Sequence, residues 1–244
     1  MTKRQDKHSS DIYGDNIESR QETHPAIPAA TVVLLRDAPA LEVLMLHKTS
    51  KISFGGMWVF PGGRIDPEDH PEDGDMDQAA RNAAARETRE EAGLISAPEN
   101  FIYFSHWTPP PSTPKRFSTW FFASLAEGHE VEIDGGEIQD HQWLQPGEAL
   151  QRHSAGEIDL APPTWITLYQ LSLAEDAQSA LRRLDNNAPR IYQTRLGKIA
   201  DGTRVAMWHG DAGYEGHDPN ATGERHRLVM SAGGFQFENT VTEY

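Results

Sequence analysis

The chain has 244 residues, 37% of them apolar, with a formal charge of −15 and no cysteine; this size suits one sizeable core with an appendage, or two small domains. Without cysteine there are no disulfides, thiolate metal sites or thiol nucleophile, and a reducing, cytoplasmic compartment is the simpler expectation. The acidic balance, with no basic stripe, speaks against nucleic acid as a partner, and no apolar run approaches the ~20 residues of a membrane span.

Residues 1–27 have no apolar core, so they read as a flexible tail, disordered or loosely docked, and not as a secretory signal. Order is expected from Pro28. The β-branched run Ala29 to Leu35 and the run Leu41 to Leu46 predict a hairpin whose turn contains Pro39. Trp58 to Phe60 reads as a short strand entering a Gly-rich loop, Pro61 to Gly63. The breaker-rich, acidic stretch Pro67 to Asp75 is loop. From Met76 or Asp77 to Ala92 runs the clearest helix, with Asp77 as its N-cap and Gly93 at its C-terminal stop.

Further strands are expected near Phe101 to His106 and Ser118 to Leu125, then at Val131 to Ile133 and Gln142 to Leu144. Pro146 to Arg152 reads as a short helix, and a longer helical region with one break follows Pro163 to about Asp185. After Pro189 come short alternating runs separated by Gly and Asp. The chain thus divides into a tail (1–27), an α/β body (28–188) with a mixed β-sheet between helices, and a small β-rich C-terminal extension (189–244). The extension is either extra strands on the main body or a subdomain, and its β-rich end, Gly233 to Tyr244, makes a homodimer an open possibility.

The helix ends in ARETREEAGL, Ala85 to Leu94. At about 100° per residue, Glu91 lies about 40° to one side of Glu87 and Glu90 about 60° to the other. One reading is a solvated acidic face, with Arg86 pairing to Glu90 at i,i+4. Two features favour a cation site instead. The face continues through Ala80, Ala83 and Ala84, where another backbone can approach, and a Gly-rich turn with exposed carbonyls precedes the helix. Carboxylates, carbonyls and phosphate together suit a hard divalent cation.

PGG at 61–63 followed by RETREEAGL at 86–94 resembles the Nudix box, G-x5-E-x7-R-E-U-x-E-E-x-G-U with U aliphatic. Arg86, Glu87, Glu90, Glu91, Gly93 and Leu94 match it, and Thr88 replaces the first aliphatic position. The N-terminal half departs: 22 residues, Arg64 to Ala85, separate Gly63 from Arg86, nine more than the pattern allows. The first Glu of the box has no unambiguous counterpart. Counting forward from Gly63 reaches Asp69, counting back from Arg86 reaches Gln78, and Asp66, Glu68 or Asp77 could also serve. Stretches around the box, MWVFPGGRIDPED, HWTPPPSTPKRFSTWFFAS, GEIQDHQWLQPGEAL and LAPPTWITLYQL, resemble the branch that includes the acyl-CoA diphosphatases, over roughly Ala29 to Leu173.

The resemblance implies a Nudix-fold hydrolase using Mg2+ or Mn2+ to cleave a pyrophosphate linkage in a nucleoside diphosphate joined to another group. Glu87, Glu90 and Glu91, with the carbonyl of Gly62 or Gly63, would hold the metals, and Arg86 would orient a neighbouring glutamate. Glu137, six residues before Trp143, looks like the loop glutamate that many Nudix enzymes place opposite the box helix; it or a box glutamate would act as general base, with Asp140 a weaker alternative. Lys115 and Arg116 read either as an exposed pair or as phosphate contacts. Trp107, Phe117 and Trp120 could stack on a nucleobase, with core the favoured place for Phe117 and Phe121; His106 and His141 read as structural or surface. CoA or acyl-CoA is the favoured substrate. ADP-ribose, NADH, nucleotide sugars and dinucleoside polyphosphates stay open, as do a house-cleaning triphosphatase and, from another class, a nucleotide-sensing binding protein without activity. No G-x-S-x-G, P-loop lysine or HExxH is present.

Overall fold

The computed structural model describes residues 8–13, 25–50, 54–127, 130–241 and 243–244. Strands β1 (Ile27–Asp37) and β2 (Leu41–Lys48) form the expected hairpin, with Leu35 opposite Val43. Their apolar runs are continuous because the sheet is covered on both faces. Alternate side chains separate cleanly: Val33, Leu35, Val43 and Met45 enter one core cluster, while Val32, Leu34, Leu44 and Leu46 enter the other.

The main sheet continues through β3 (Trp58–Val59), β4 (Gly62–Arg64), β5 (Ile102–Thr108), β6 (Phe117–Leu125), β7 (Ile138–Leu144) and β8 (Arg190–Gln193). The order is β3-β2-β1-β6-β5-β8, with β4 pairing to β1 and β7 to β2. The Gly pair therefore does not sit in a loop, as its composition predicts, but forms the short strand β4, with Gly63 opposite Ala30 of β1. The central β1–β6 pairing is parallel and runs from Ile27↔Phe117 to Leu35↔Leu125.

Helix α1 (Met76–Ala92) covers one face of this sheet, burying Ala80, Ala83 and Ala84 against the cluster that contains Leu34, Leu44 and Phe122. Its N-cap is Asp75, not Asp77: the Asp75 carboxylate accepts from the Asp77 and Gln78 amides at 2.9 and 3.4 Å. Gly93 closes the helix with φ 68°, a left-handed conformation glycine adopts without strain. Val131 to Ile133, expected as a strand, lies outside both sheets. There the Glu132 amide bonds to the Ala92 carbonyl (2.9 Å), so this segment closes the end of α1 instead of extending a ladder.

The opposite face is covered by α2 (Pro146–Ser154), α3 (Pro162–Leu171) and α4 (Ala177–Asp185), and by a second sheet. That sheet has the order β12-β11-β10-β9, from β9 (Arg195–Lys198), β10 (Arg204–Met207), β11 (His226–Ser231) and β12 (Gly234–Asn239). Composition leaves open whether the residues after 189 extend the main sheet or form a subdomain. They do both, because β8 joins β5 in the main sheet and β9–β12 form the second. The second sheet shares its core with the body: Leu196, Trp208 and Leu228 belong to the same cluster as Val33 and Phe121. Trp107 stacks on Tyr192 at 3.8 Å, and Trp208 meets both rings edge-on.

The flexible-tail expectation fails for residues 8–13. Ser10, Asp11 and Tyr13 are buried. The Ser10 hydroxyl accepts from the Leu160 amide at 3.2 Å and contacts His153 Nε2 at 3.1 Å, while Asp11 pairs with Arg204 at 2.6 Å. The anchors are polar groups, which a search for apolar runs passes over. The rest of the segment read as a tail lies outside the described residues up to residue 24. Among the described residues no helix is long and apolar enough to cross a membrane.

Candidate active site

A cavity of about 760 Å³ is lined by the acidic face of α1, β4 and the end of β2, together with aromatic and aliphatic side chains. Arg86 organises the acidic part. Its guanidinium grips Asp69 in bidentate fashion (Nε–Oδ1 3.0 Å, Nη2–Oδ2 2.9 Å), donates to Glu87 (3.0 Å) and Glu90 (3.1 Å), and reaches the Arg64 carbonyl (3.0 Å). The Asp69 hydrogen bond chiefly raises the already high pKa of the guanidinium, which stays charged. Burial works to raise the Asp69 carboxyl, but the hydrogen bonds from Arg86 and the Asp66 amide outweigh it and hold the carboxyl low.

The candidates for the first acidic position are placed differently. Asp69 is buried and takes the bidentate contact, as the forward count from Gly63 allows. Asp66 lies 3.8 Å from Arg86 and lines the cavity, Glu68 is exposed, Asp77 pairs with Arg81, and Gln78 bonds to Asn82. The extra residues therefore follow Asp69. Thr88, at the aliphatic position, is buried without cost to its polarity because its hydroxyl donates to the Ala84 carbonyl (2.7 Å).

Glu91 is buried; its carboxylate accepts the Gly62 amide (2.9 Å) and meets Lys48 Nζ (3.0 Å). Burial pushes its pKa up to about 7 and also raises that of Glu87. Gly63 passes so close to α1 that a Cβ there would overlap the Glu87 carboxylate. Glu90 is 53% exposed on the cavity side. Among the described residues no three acidic or imidazole side chains converge on one point; Arg86 and Lys48 lie between them. The donor set nonetheless fits a hard divalent cation. It is all oxygen and shares one helix face, with Glu90 open to the cavity and the buried Glu91 held ionised by Lys48.

Glu137 lines the cavity, 61% exposed, 3.7 Å from Lys48 Nζ, on a turn in which Asp134 accepts its amide (2.9 Å). Lys48 thus bridges the box helix and the Glu137 loop. The sequence carries a signal for its place, since Lys48 continues the Leu44, Leu46 alternation that faces α1. Asp140 accepts the His141 amide and does not line the cavity. Lys115 lines it, with its ammonium 5.8 Å from the Phe117 ring centroid. Arg116 is outside the lining and donates to the Pro109 carbonyl (2.8 Å), tethering the Pro-rich loop. Phe117, favoured for the core, instead lines the cavity beside Phe54 (ring centroids 6.0 Å). Phe121 is buried as expected and Trp107 is packed on Tyr192, both also bordering the cavity, whereas Trp120 meets His106 edge-on away from it. His106 contacts the Ser118 hydroxyl at 2.7 Å, a structural role.

A model of the NUDIX domain matches residues 25–164. The chain belongs to the NUDIX family. Among curated proteins it is 24% identical over 185 residues to "Putative nudix hydrolase 7" of Caenorhabditis elegans, spanning 61% of each chain. It is 28% identical over 125 residues to "Phosphatase NudJ" of Escherichia coli, spanning 51% of this chain and 72% of that one. A NUDIX hydrolase from Alicyclobacillus acidocaldarius has a similar structure, with a TM-score of 0.59 at 23% identity over 67% of this chain and 99% of that one. This last likeness concerns the NUDIX fold. The acidic cluster of α1, β4, Lys48 and Glu137 all lie within the matched NUDIX region; α4, β8 and the second sheet lie beyond it.

Proposed function

We propose that this NUDIX-family chain is a divalent-metal-dependent hydrolase of a pyrophosphate linkage in a nucleoside diphosphate joined to another group, with CoA or an acyl-CoA the favoured substrate. The observation that carries the reading is a cavity lined by both charged and apolar side chains. Glu87, Glu90, Glu91 and Glu137 line it with Lys48 and Lys115, and so do Phe54, Phe117 and Phe121. The acidic part would hold Mg2+ or Mn2+ through Glu87, Glu90 and Glu91, with the carbonyl of Gly62 or Gly63. When bound, the cation supplies charge neutralisation at the phosphate oxygens and a more acidic attacking water.

The chain's own residues have separable tasks. Arg86 fixes the rotamers of Glu87 and Glu90 through one guanidinium, acting as a positioning residue. Lys48 and Lys115 would meet the phosphate charge. Glu137, exposed in the cavity lining, would accept the proton of the attacking water, a task open also to a box glutamate. The apolar part of the lining favours a substrate with an apolar portion, which supports acyl-CoA over ADP-ribose, NADH or a nucleotide sugar.

The test is a metal-dependent screen over CoA, acyl-CoAs, ADP-ribose, NADH and nucleotide sugars, with products read by mass spectrometry in ¹⁸O water. Release from CoA species that falls by orders of magnitude in Glu90→Gln, with the fold intact, is the expected result. No release from any diphosphate with Mg2+ or Mn2+ would favour a nucleotide-binding sensor instead.

A further inference from the structure

The apolar part of the cavity lining is not built by the NUDIX region alone. Ile12 and Tyr13, from the segment that precedes the matched region, line it together with Pro163 at the start of α3 and Thr194 between β8 and β9. Tyr13 is 2% exposed, so its ring is packed wall and not a loose flap. The turn that presents these side chains is organised around the Asp11 carboxylate. Its Oδ1 accepts the Tyr13 amide (3.1 Å), and the Asp11 amide itself bonds back to the His8 carbonyl (3.0 Å).

That carboxylate is fixed from outside the segment. Arg204, on β10 of the second sheet, meets Asp11 with Nε at 2.6 Å and Nη2 at 3.2 Å, and both side chains are buried. A buried two-point pair of this kind sets orientation, because a guanidinium fork satisfies a carboxylate in few geometries. Ser10 supplies the second anchor, to the Leu160 amide and His153.

We infer that Ile12 and Tyr13 are specificity-determining residues that set how large an apolar group the cavity admits, and that Arg204 is the positioning residue through which the second sheet holds them in place. This rests on the reading of the cavity as the substrate site. It gives the second sheet a task in substrate selection. Ile12 is half-buried, so its side chain can be trimmed or enlarged with less disturbance than the packed Tyr13.

The experiment compares wild type with Ile12→Ala, Ile12→Trp, Tyr13→Leu, Arg204→Met and Arg204→Lys in the full chain. Each is given CoA, acetyl-CoA, hexanoyl-CoA, dodecanoyl-CoA and ADP-ribose, with kcat and KM measured in Mn2+ and Kd measured by calorimetry without turnover. Ile12→Trp should raise KM and Kd for dodecanoyl-CoA about tenfold, and by a smaller factor for acetyl-CoA and free CoA. Ile12→Ala and Tyr13→Leu should shift the preference towards the longer chain. Arg204→Met should flatten the chain-length preference, and Arg204→Lys should restore part of it; a merely structural role would lower Tm and leave the preference unchanged. If wild type cleaves ADP-ribose but no CoA species, the CoA reading falls, and the wall is judged by whether Ile12→Trp weakens ADP-ribose binding at least fivefold. Parallel profiles in folded variants, or no binding of any compound to wild type, would overturn the inference.

Discussion

Arg86 carries more contacts than any other side chain at the acidic cluster, and their geometry makes it irreplaceable by lysine. One guanidinium serves Asp69, Glu87, Glu90 and the Arg64 carbonyl together. An ammonium cannot reach all of these from one position and cannot match the planar Asp69 carboxylate. Arg86→Lys is expected to leave Asp69 buried and under-satisfied, to cost about 1–3 kcal/mol of stability, and to lower kcat about a hundredfold with a smaller change in KM. Urea unfolding together with steady-state kinetics checks both parts. At this scale the sequence was informative where contacts are local. Arg86, Glu87, Glu90 and Glu91 sit on one helix, so their common face follows from periodicity. Lys48 was missed because its partners, Glu91 and Glu137, lie far from it along the chain, and the nine-residue insertion hid Asp69 by making two counts disagree.

The elements around the site are joined by close backbone approach as much as by side chains. Strand β4 fits beneath α1 because Gly63 has no Cβ to strike Glu87. Gly63→Ala should displace that carboxylate and reduce activity at least tenfold, with a modest fall in Tm; calorimetry and kinetics on the same sample separate the two. A second element-level prediction concerns the turn at residues 8–13. Burial, reinforced by the nearby His8, depresses the His153 pKa from 6.5 to about 4, against the opposing pull of Asp159. The unfolded chain therefore takes up a proton between pH 6.5 and 4 that the folded chain does not. Stability should fall as pH drops through that window and be unaffected by this group above it, by at most about 3 kcal/mol. Urea midpoints at pH 7 and pH 5 for wild type and His153→Gln test this, since the variant should lose that part of the slope. The helices and most strands were legible because their apolar periods or caps are local. Val131 to Ile133 is a short β-branched run whose composition suits a strand, but the end of α1 claims its backbone through the Glu132 amide.

For the whole molecule, the second sheet is part of the fold and not an appendage, since its Trp208 and Leu228 share the core of Val33 and Phe121. Removing residues 190–244 should expose Trp107 and Tyr13 and yield a chain without a cooperative thermal transition, whereas wild type is expected to unfold in one step by circular dichroism and by tryptophan fluorescence. The sheet has its own buried ion pair: Arg227 meets both Asp211 oxygens at 2.6 Å, and Asp211 also accepts the Gly213 and His226 amides. Asp211→Asn would leave Arg227 charged, buried and uncompensated, a loss on the order of 3–5 kcal/mol measurable in urea. Composition revealed the β-rich character of this region but not its partners, because Arg204, Tyr192 and Trp208 acquire their roles only through contacts with distant segments.

The pair that holds Asp11 to Arg204 spans 193 positions of the chain. Local helices and hairpins form early, while contacts between remote segments must wait for a slow search. The acidic face of α1 needs little more than its neighbouring hairpin, so it is expected to take shape first. The barrier at residues 12 and 13 is expected to close last, when β10 has docked. During refolding there should thus be an interval in which the chain already carries the groups for its chemistry but has not yet acquired its selectivity. Pulsed hydrogen exchange, with the Ala83 and Ala84 amides protected before that of Tyr13, would reveal this order in time.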